Sequence, residues 1–206
     1  MISKEELNRA FDSRFPPEVK DKLSAARVAI AGLGGLGSNI ALMLARTGIG
    51  KLLLVDFDTV DTTNLNRQAY GISQLGKAKT EAMLELIAEI NPFLEVEVRQ
   101  IRVTPENAVG LFGEYPILCE AFDQPEQKAM LISTVLSQCP NTIIVSGNGM
   151  AGYGDSNAIT TRRRMERLYV CGDGTTDICS GIGLMAPRVS ICAGHQANKV
   201  IQLILR

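Results

Sequence analysis

The stretch Gly32-Leu33-Gly34-Gly35-Leu36-Gly37 fits the pattern G-x-G-x-x-G. Glycines at this spacing let the backbone turn tightly and approach a phosphate, and a helix opening there supplies N–H donors and partial positive charge. Asp56 follows Gly37 by 19 residues and is the acid this arrangement calls for, a carboxylate that accepts hydrogen bonds from a ribose diol. From Asp56 to Gly76 runs a polar connection rich in Asp, Thr and Asn, carrying Asp58, Asn64, Arg67 and Gln68. Connections this long in a compact domain usually serve function. Lys79 lies twelve residues beyond Arg67, in the first turn of a predicted helix, where the dipole disfavours a cation. Arg67 and Lys79 together have the charge to grip a polyphosphate, and read equally as solvated surface cations. Asp123 follows a predicted strand and could hold Mg²⁺ against phosphates, or cap the helix that starts at Pro125.

The elements that must position these residues alternate along the chain. Ser3 and Glu6 form a capping box for a helix over 4–11, and Pro16-Pro17 separates it from a second helix ending near Ala25. Arg27–Ala31 is an apolar, β-branched run that reads as a buried strand feeding the glycine loop. A helix leaves the loop through Ala45 and ends at Gly48 and Gly50, and Lys51–Val55 is the next strand. A helix over 77–90 with Ala82, Leu86 and Ile90 on one face stops at Asn91-Pro92, and Leu94, Val96 and Val98 alternate with polar residues as a half-buried strand. Further strands are expected at 117–121 and 142–146, and helices from Thr104-Pro105 and over 125–137. Helix–strand alternation of this kind predicts an α/β, Rossmann-like domain with a mainly parallel sheet. After Ser146 the pattern changes: a glycine-rich stretch, a polar stretch with Arg162-Arg163-Arg164, an irregular and mobile crossing over 171–183, and a closing helix over 187–205 with Val189, Ile191, Ala197, Val200, Ile201 and Leu205 mostly buried. The organisation expected is a single domain over 1–206, made of an N-terminal helical segment (1–25), a nucleotide-binding core (26–146) and a crossing region that binds a partner (147–206).

Composition removes several function classes. The 206 residues include 21 Lys plus Arg and 22 Asp plus Glu, a net charge of −1. A nucleic-acid binder would carry a basic excess. No apolar run approaches the roughly 18 residues of a membrane span, and the polar N-terminus is not a secretory signal. Five scattered Cys with no C-x-x-C pair read as reduced thiols of a cytoplasmic protein. Cys119, Cys139 and Cys192 fall in strand or helix patterns and read as core. The single His, His195, sits in the last helix and reads as a structural residue. An NAD-dependent oxidoreductase, which usually adds a second domain and an acid–base residue, fits this chain poorly but stays open, as does a non-catalytic nucleotide sensor.

Gly32–Gly37, Asp56-Phe57-Asp58, Asn64-Leu65-Asn66-Arg67-Gln68, Gly76-Lys77-Ala78-Lys79 and Met185-Ala186-Pro187 occur in an order and at a spacing that resemble the ThiF/MoeB/HesA family, relatives of the ubiquitin-activating enzymes. Met150–Gly154 and Tyr169–Gly174 are similar to the short ThiF form of thiamine biosynthesis. The resemblance implies adenylation, with Mg-ATP, of the C-terminal glycine carboxylate of a small ubiquitin-fold sulfur-carrier protein ending in Gly-Gly, by a homodimer. It implies that Gly32, Gly34, Gly35, Leu36 and Gly37 cradle the nucleotide, and that Asp56, with Asp58, serves the ribose side. Asn64, Arg67, Gln68 and Lys79 would contact phosphates, and Asp123 would ligate magnesium. An N-terminal Arg, Arg14 or Arg9, would reach ATP across the dimer interface, and Cys179, six residues before Met185, stands where relatives carry a thiol that links to the carrier. A molybdopterin-type carrier or a small carboxylate would serve the same chemistry.

The chain departs from its larger relatives in lacking the two C-x-x-C pairs that hold zinc. Cys171 stands alone in its stretch, so no zinc is expected. Arg162-Arg163-Arg164 reads as a solvated basic face, or as a dock for an acidic carrier.

Overall fold

The computed structural model describes residues 2–177 and 181–206. The Ser3 hydroxyl accepts from the Glu6 N–H at 3.1 Å and the Glu6 carboxylate accepts from the Ser3 N–H at 2.8 Å, so the capping box starts helix α1 (Lys4–Asp12). Pro17 opens α2 (Pro17–Ala25), in the first turn where its missing N–H has no partner to lose.

The first strand, β1 (Arg27–Ala31), enters the glycine loop, and α3 (Gly35–Arg46) leaves it. Then follow β2 (Lys51–Asp56), α4 (Lys79–Ala88), β3 (Glu95–Gln100), α5 (Pro105–Phe112), β4 (Ile117–Glu120), α6 (Pro125–Gln138) and β5 (Ile143–Gly147). The strands form one sheet in the order β3-β2-β1-β4-β5, extended by β7 (Leu168–Gly172) and β6 (Thr160–Met165). All neighbours are parallel except β6 and β7, which form an antiparallel hairpin at the edge. The chain closes with α7 (Ala186–Leu205). Among the described residues no helix is long and apolar enough to cross a membrane.

Side chains of the central strands alternate between two cores. Val28, Ile30, Leu52 and Leu54 face α3, α4 and α7, while Ala29, Ala31, Leu53 and Val55 face α5 and α6. Both faces of the parallel strands are therefore covered, which is why these strands are continuous apolar runs. Helix α7 lies against α3, and the buried Gln196 of α7 donates to the Glu120 and Val145 carbonyls at 3.2 and 3.0 Å.

The hairpin corrects the expected layout. Segment 147–206 was expected to hold a polar stretch and a crossing beyond the sheet, but it supplies two of its strands, with Arg162–Arg164 in β6 and Cys171 in β7. Edge strand β6 is exposed along nearly its whole length, so it has no alternation of apolar and polar residues to betray it. The crossing, expected to be mobile, includes Ile178–Ser180, which lie outside the described residues. In α7, Val189, Ala197 and Val200 are buried, whereas Ile191, Ile201 and Leu205 are only half-buried. Helix α4 starts at Lys79 rather than Lys77, and its buried face is Ala82, Met83 and Ile87, with Leu86 and Ile90 half-buried.

Candidate active site

Strands β2 and β4 flank β1 on opposite sides, so the strand order reverses at β1, and ligands of open α/β sheets bind at the carboxyl ends of strands at such a point. A cleft of about 650 Å³ lies there, bounded by the glycine loop, the 56–79 connection and the ends of β4 and β5.

Two glycines shape the loop beneath it. Gly32 has φ +90°, and a Cβ there would touch the Ala121 carbonyl oxygen at 2.9 Å. A Cβ on Gly37 would lie 1.8 Å from the Gly32 carbonyl oxygen, so α3 can begin against the loop only with glycine there. Gly37 does not line the cleft, and its role is this close packing. Gly34 caps α3 without a side chain, leaving the first N–H groups of the helix toward the cleft. Such an end favours anions.

Asp56 holds the loop in shape. Its Oδ2 accepts from the Leu33 N–H at 2.6 Å and its Oδ1 from the Asp58 N–H at 2.8 Å. Burial pushes its carboxyl above the usual range, against the pull of the Asp58 N–H and the Lys79 charge. The Tyr70 hydroxyl donates to the Leu33 carbonyl at 2.9 Å and supports the loop from behind.

The long connection is pinned by a short backbone ladder. Val60 N–H donates to Lys77 at 2.8 Å, Gly76 N–H to Val60 at 2.9 Å and Lys79 N–H to Asp58 at 2.9 Å. This ladder places Lys79 beside Asp58, with Nζ 2.9 Å from Oδ2. The residue is 6% exposed, so Lys79 is not the solvated surface cation of the alternative reading. Arg67 donates to the Thr63 carbonyl at 3.1 Å and to Asn66 Oδ1 at 2.7 Å, with its stem beside Gly35. Gln68 lies beside Gly34, and its buried Oε1 has no hydrogen-bond partner among the described residues.

Gly32, Gly34, Gly35, Leu36 and Asp56 thus line the cleft together with Asp58, Arg67, Gln68, Lys79 and Asp123. Asn64 does not line it: its Oδ1 accepts from the Asp61 N–H at 3.0 Å and closes the 3-10 turn Thr62–Asn64. Asp123 is exposed and does not cap α6, whose N-cap is Gln124 with no side-chain bond. Arg9 and Arg14 are exposed and line no part of the cleft of their own chain. Cys179 lies outside the described residues, and the four described Cys are all buried. His195 is half-buried on α7, away from the cleft.

Sequence reading missed Lys128. Its Nζ donates to Glu120 at 2.8 and 3.0 Å and to the Phe122 carbonyl at 3.1 Å, bracing the turn that presents Asp123. Ser146 donates to the same fully buried Glu120. A lysine one turn into a helix, aimed back at an acid that ends the preceding strand, was the signal available. Also missed was Arg102, whose guanidinium lies 3.9 Å from the centre of the Phe57 ring at the cleft mouth.

Residues 7–206 match the model of the ThiF family. The chain belongs to that family. It is 36% identical over 127 residues to a probable adenylyltransferase/sulfurtransferase MoeZ of Mycobacterium tuberculosis, covering 59% of this chain and 32% of the relative. It is 31% identical over 195 residues to the adenylyltransferase and sulfurtransferase UBA4 of Candida albicans, covering 91% of this chain and 44% of the relative. A tRNA threonylcarbamoyladenosine dehydratase of Haemophilus influenzae is 36% identical over 137 residues, 66% of this chain and 52% of that protein. The chain therefore spans about a third to a half of these relatives. Among solved structures, the Escherichia coli tRNA N6-threonylcarbamoyladenosine dehydratase in complex with ATP has TM-score 0.87 at 24% identity, covering 99% and 96% of the two chains, which establishes the shared fold. The E. coli MccB structure with ATP has TM-score 0.71 at 26% identity, covering 91% of this chain and 58% of that one.

Proposed function

We propose that this chain is an ATP-dependent adenylyltransferase that activates the C-terminal glycine carboxylate of a small ubiquitin-fold sulfur-carrier protein. The observation that carries the reading is the pairing, in one cleft, of a glycine-floored helix end and Asp56 with two cations, Arg67 and Lys79. A dinucleotide is served by the first two features; two added cations suit the greater charge of a polyphosphate. The orphaned Oε1 of Gln68 supports a nucleotide there, because a buried acceptor without a donor is costly unless a ligand supplies one.

The residues divide the work. Asp56 accepts from the ribose while its backbone partners keep the glycine loop open. The α3 N-terminus, Arg67 and Lys79 hold the phosphates, and Asp58 yields Lys79 to them. Asp123, which the described residues leave without a hydrogen bond or ion pair, would hold the Mg²⁺ carried in by ATP, where the ion would neutralise phosphate charge. A C-terminal carboxylate has a pKa of about 3.5 and attacks the α-phosphorus already ionised. The new bond is carboxyl O–P, the broken bond joins the α-phosphorus to the bridging oxygen, and pyrophosphate leaves with both its electrons. No general base is required; cations that neutralise the leaving group are, and the cleft has them.

The similarity to the short ThiF form makes thiamine thiazole synthesis the favoured setting, in the cytoplasm and as a homodimer in which Arg14 or Arg9 reaches the neighbouring cleft. A tRNA substrate, suggested by the dehydratase relatives, fits less well with a net charge of −1. ATP–pyrophosphate exchange tests the reading. Exchange should require Mg²⁺ and a Gly-Gly-ended carrier, and be fastest with a thiamine-type carrier over a molybdopterin-type one. Exchange driven by tRNA, or none with any carrier, would overturn it.

A further inference from the structure

A second concavity, of about 660 Å³, opens between α7 and the edge hairpin and shares no lining residue with the nucleotide cleft. Its chemistry is one-sided. Arg163, Lys199, His195 and Arg206 line it together with neutral side chains, and no Asp or Glu side chain does among the described residues. Lys199 sits at its base, 6% exposed, with Nζ 4.2 Å from the centre of the Tyr169 ring and 3.3 Å from Gln202 Oε1. It has no ion pair among the described residues, whereas the other buried cations, Lys79 and Arg188, are each paired with an aspartate. An ammonium removed from water without an anion carries an unrecovered desolvation cost, and an arriving anion relieves it. His195 is fixed by a 3.0 Å contact between Nδ1 and the Thr161 hydroxyl, which leaves its other nitrogen available. Register places Arg163 opposite Tyr169, beside the ring that Lys199 Nζ overlies, and its guanidinium is steadied at the pocket's rim by donating to the Met165 and Glu166 carbonyls of the hairpin turn at 2.9–3.3 Å.

We infer that this pocket is a binding site for an oxyanion, a carboxylate or phosphate, held by Lys199 with Arg163 and His195 and separate from the nucleotide cleft. The inference is independent of the adenylation reading, since it uses none of the same residues. A pocket of this volume admits a small molecule, and its mouth equally admits an acidic side chain of a docked protein; the anion chemistry is common to both.

His195 is the only histidine in the chain, so its imidazole gives one assignable resonance beside the pocket. Phosphate, citrate and a hexaglutamate peptide are titrated separately at constant ionic strength, with chloride as the control, and the His195 Cε1–Hε1 signal is followed. A saturable shift with phosphate or citrate identifies a free small anion, and one with the peptide at lower concentration identifies a protein carboxylate. Either shift should weaken at least tenfold in Lys199→Met and in the surface variant Arg163→Gln, return in Lys199→Arg, and persist in the cleft variant Lys79→Ala. Arg163→Gln keeps the test decisive if Lys199→Met fails to fold. Shifts no larger than those with chloride, or shifts lost in Lys79→Ala and kept in Arg163→Gln, would overturn the inference.

Discussion

Replacing Lys79 by Met separates a phosphate-binding lysine from a structural one. Lys79 Nζ is 2.9 Å from Asp58 Oδ2, with side chains 7% and 47% exposed. Opposite charges at about 4 Å attract by about 4 kcal/mol at an effective dielectric near 20. Half-exposed Asp58 keeps much of its hydration, so the pair's net share of stability is about 1 kcal/mol or less. Methionine retains most of the buried stem, and the melting temperature should fall by only about 2–4 °C. ATP affinity should change far more. A charge-assisted hydrogen bond from Nζ to a phosphate oxygen contributes about 1.5–3 kcal/mol, so its loss weakens ATP by about 10- to 150-fold. Adenosine has no phosphate and should bind both proteins alike. Calorimetric titration with ATP and with adenosine measures both numbers. Equal losses for the two ligands would make Lys79 structural, and unchanged ATP affinity would remove the phosphate from its side and revive the dinucleotide reading.

Other outcomes follow from the same geometry. Thermal melts with Mg-ATP, ATP plus chelator, NAD⁺ and NADH should show a magnesium-dependent rise with ATP alone, corresponding to about 2.7 kcal/mol at a hundred times Kd; a rise only with NAD⁺ or NADH would contradict the assignment of Arg67, Lys79 and Asp123. Gly37→Ala drives a methyl into the Gly32 carbonyl, with 1.8 Å between the new Cβ and that oxygen, and should cost at least about 1–3 kcal/mol in urea unfolding; a neutral result would mean the loop packs differently. Burial pushes the Cys119 thiol up, that of Cys171 to about 11 and that of Cys192 to about 12, so at pH 8 all three stay protonated as well as covered. Peptide mapping after iodoacetamide should find these labelled only as fast as the protein opens, and rapid labelling of any of them would contradict the packing. Arg167→Met removes donors to the Leu136, Cys139 and Thr142 carbonyls that tie the hairpin to the end of α6, and should lower stability by about 1–3 kcal/mol, read by urea unfolding; no change would show that hairpin held by its strand pairing alone.

The parts of this fold that could be read from sequence are those where one force dominates. Strands β1, β2, β4 and β5 are apolar because both faces are covered, and the glycine loop is legible because φ +90° at Gly32 and the 1.8 Å approach at Gly37 tolerate nothing else. The β6–β7 hairpin was not legible, since its outer strand carries three consecutive arginines and buries almost nothing. Of the site, Asp56, Arg67, Gln68, Lys79 and Asp123 converge on one cleft as their types suggested. Asn64 instead closes a local turn, a use of a short polar side chain that sequence cannot tell from ligand binding. Lys128 went unseen because its partner, Glu120, reads as part of an apolar strand and becomes an anion to be matched only once the fold buries it.

Intact-mass spectrometry of a Gly-Gly-ended carrier, incubated with this protein and Mg-ATP and quenched in acid, tests adenylation most directly. The expected product is carrier plus one AMP, present with the unmodified C-terminus, absent when the last glycine is amidated, and lost on adding excess pyrophosphate. A carrier of unchanged mass under conditions where ATP demonstrably binds would leave a nucleotide-binding protein without this chemistry.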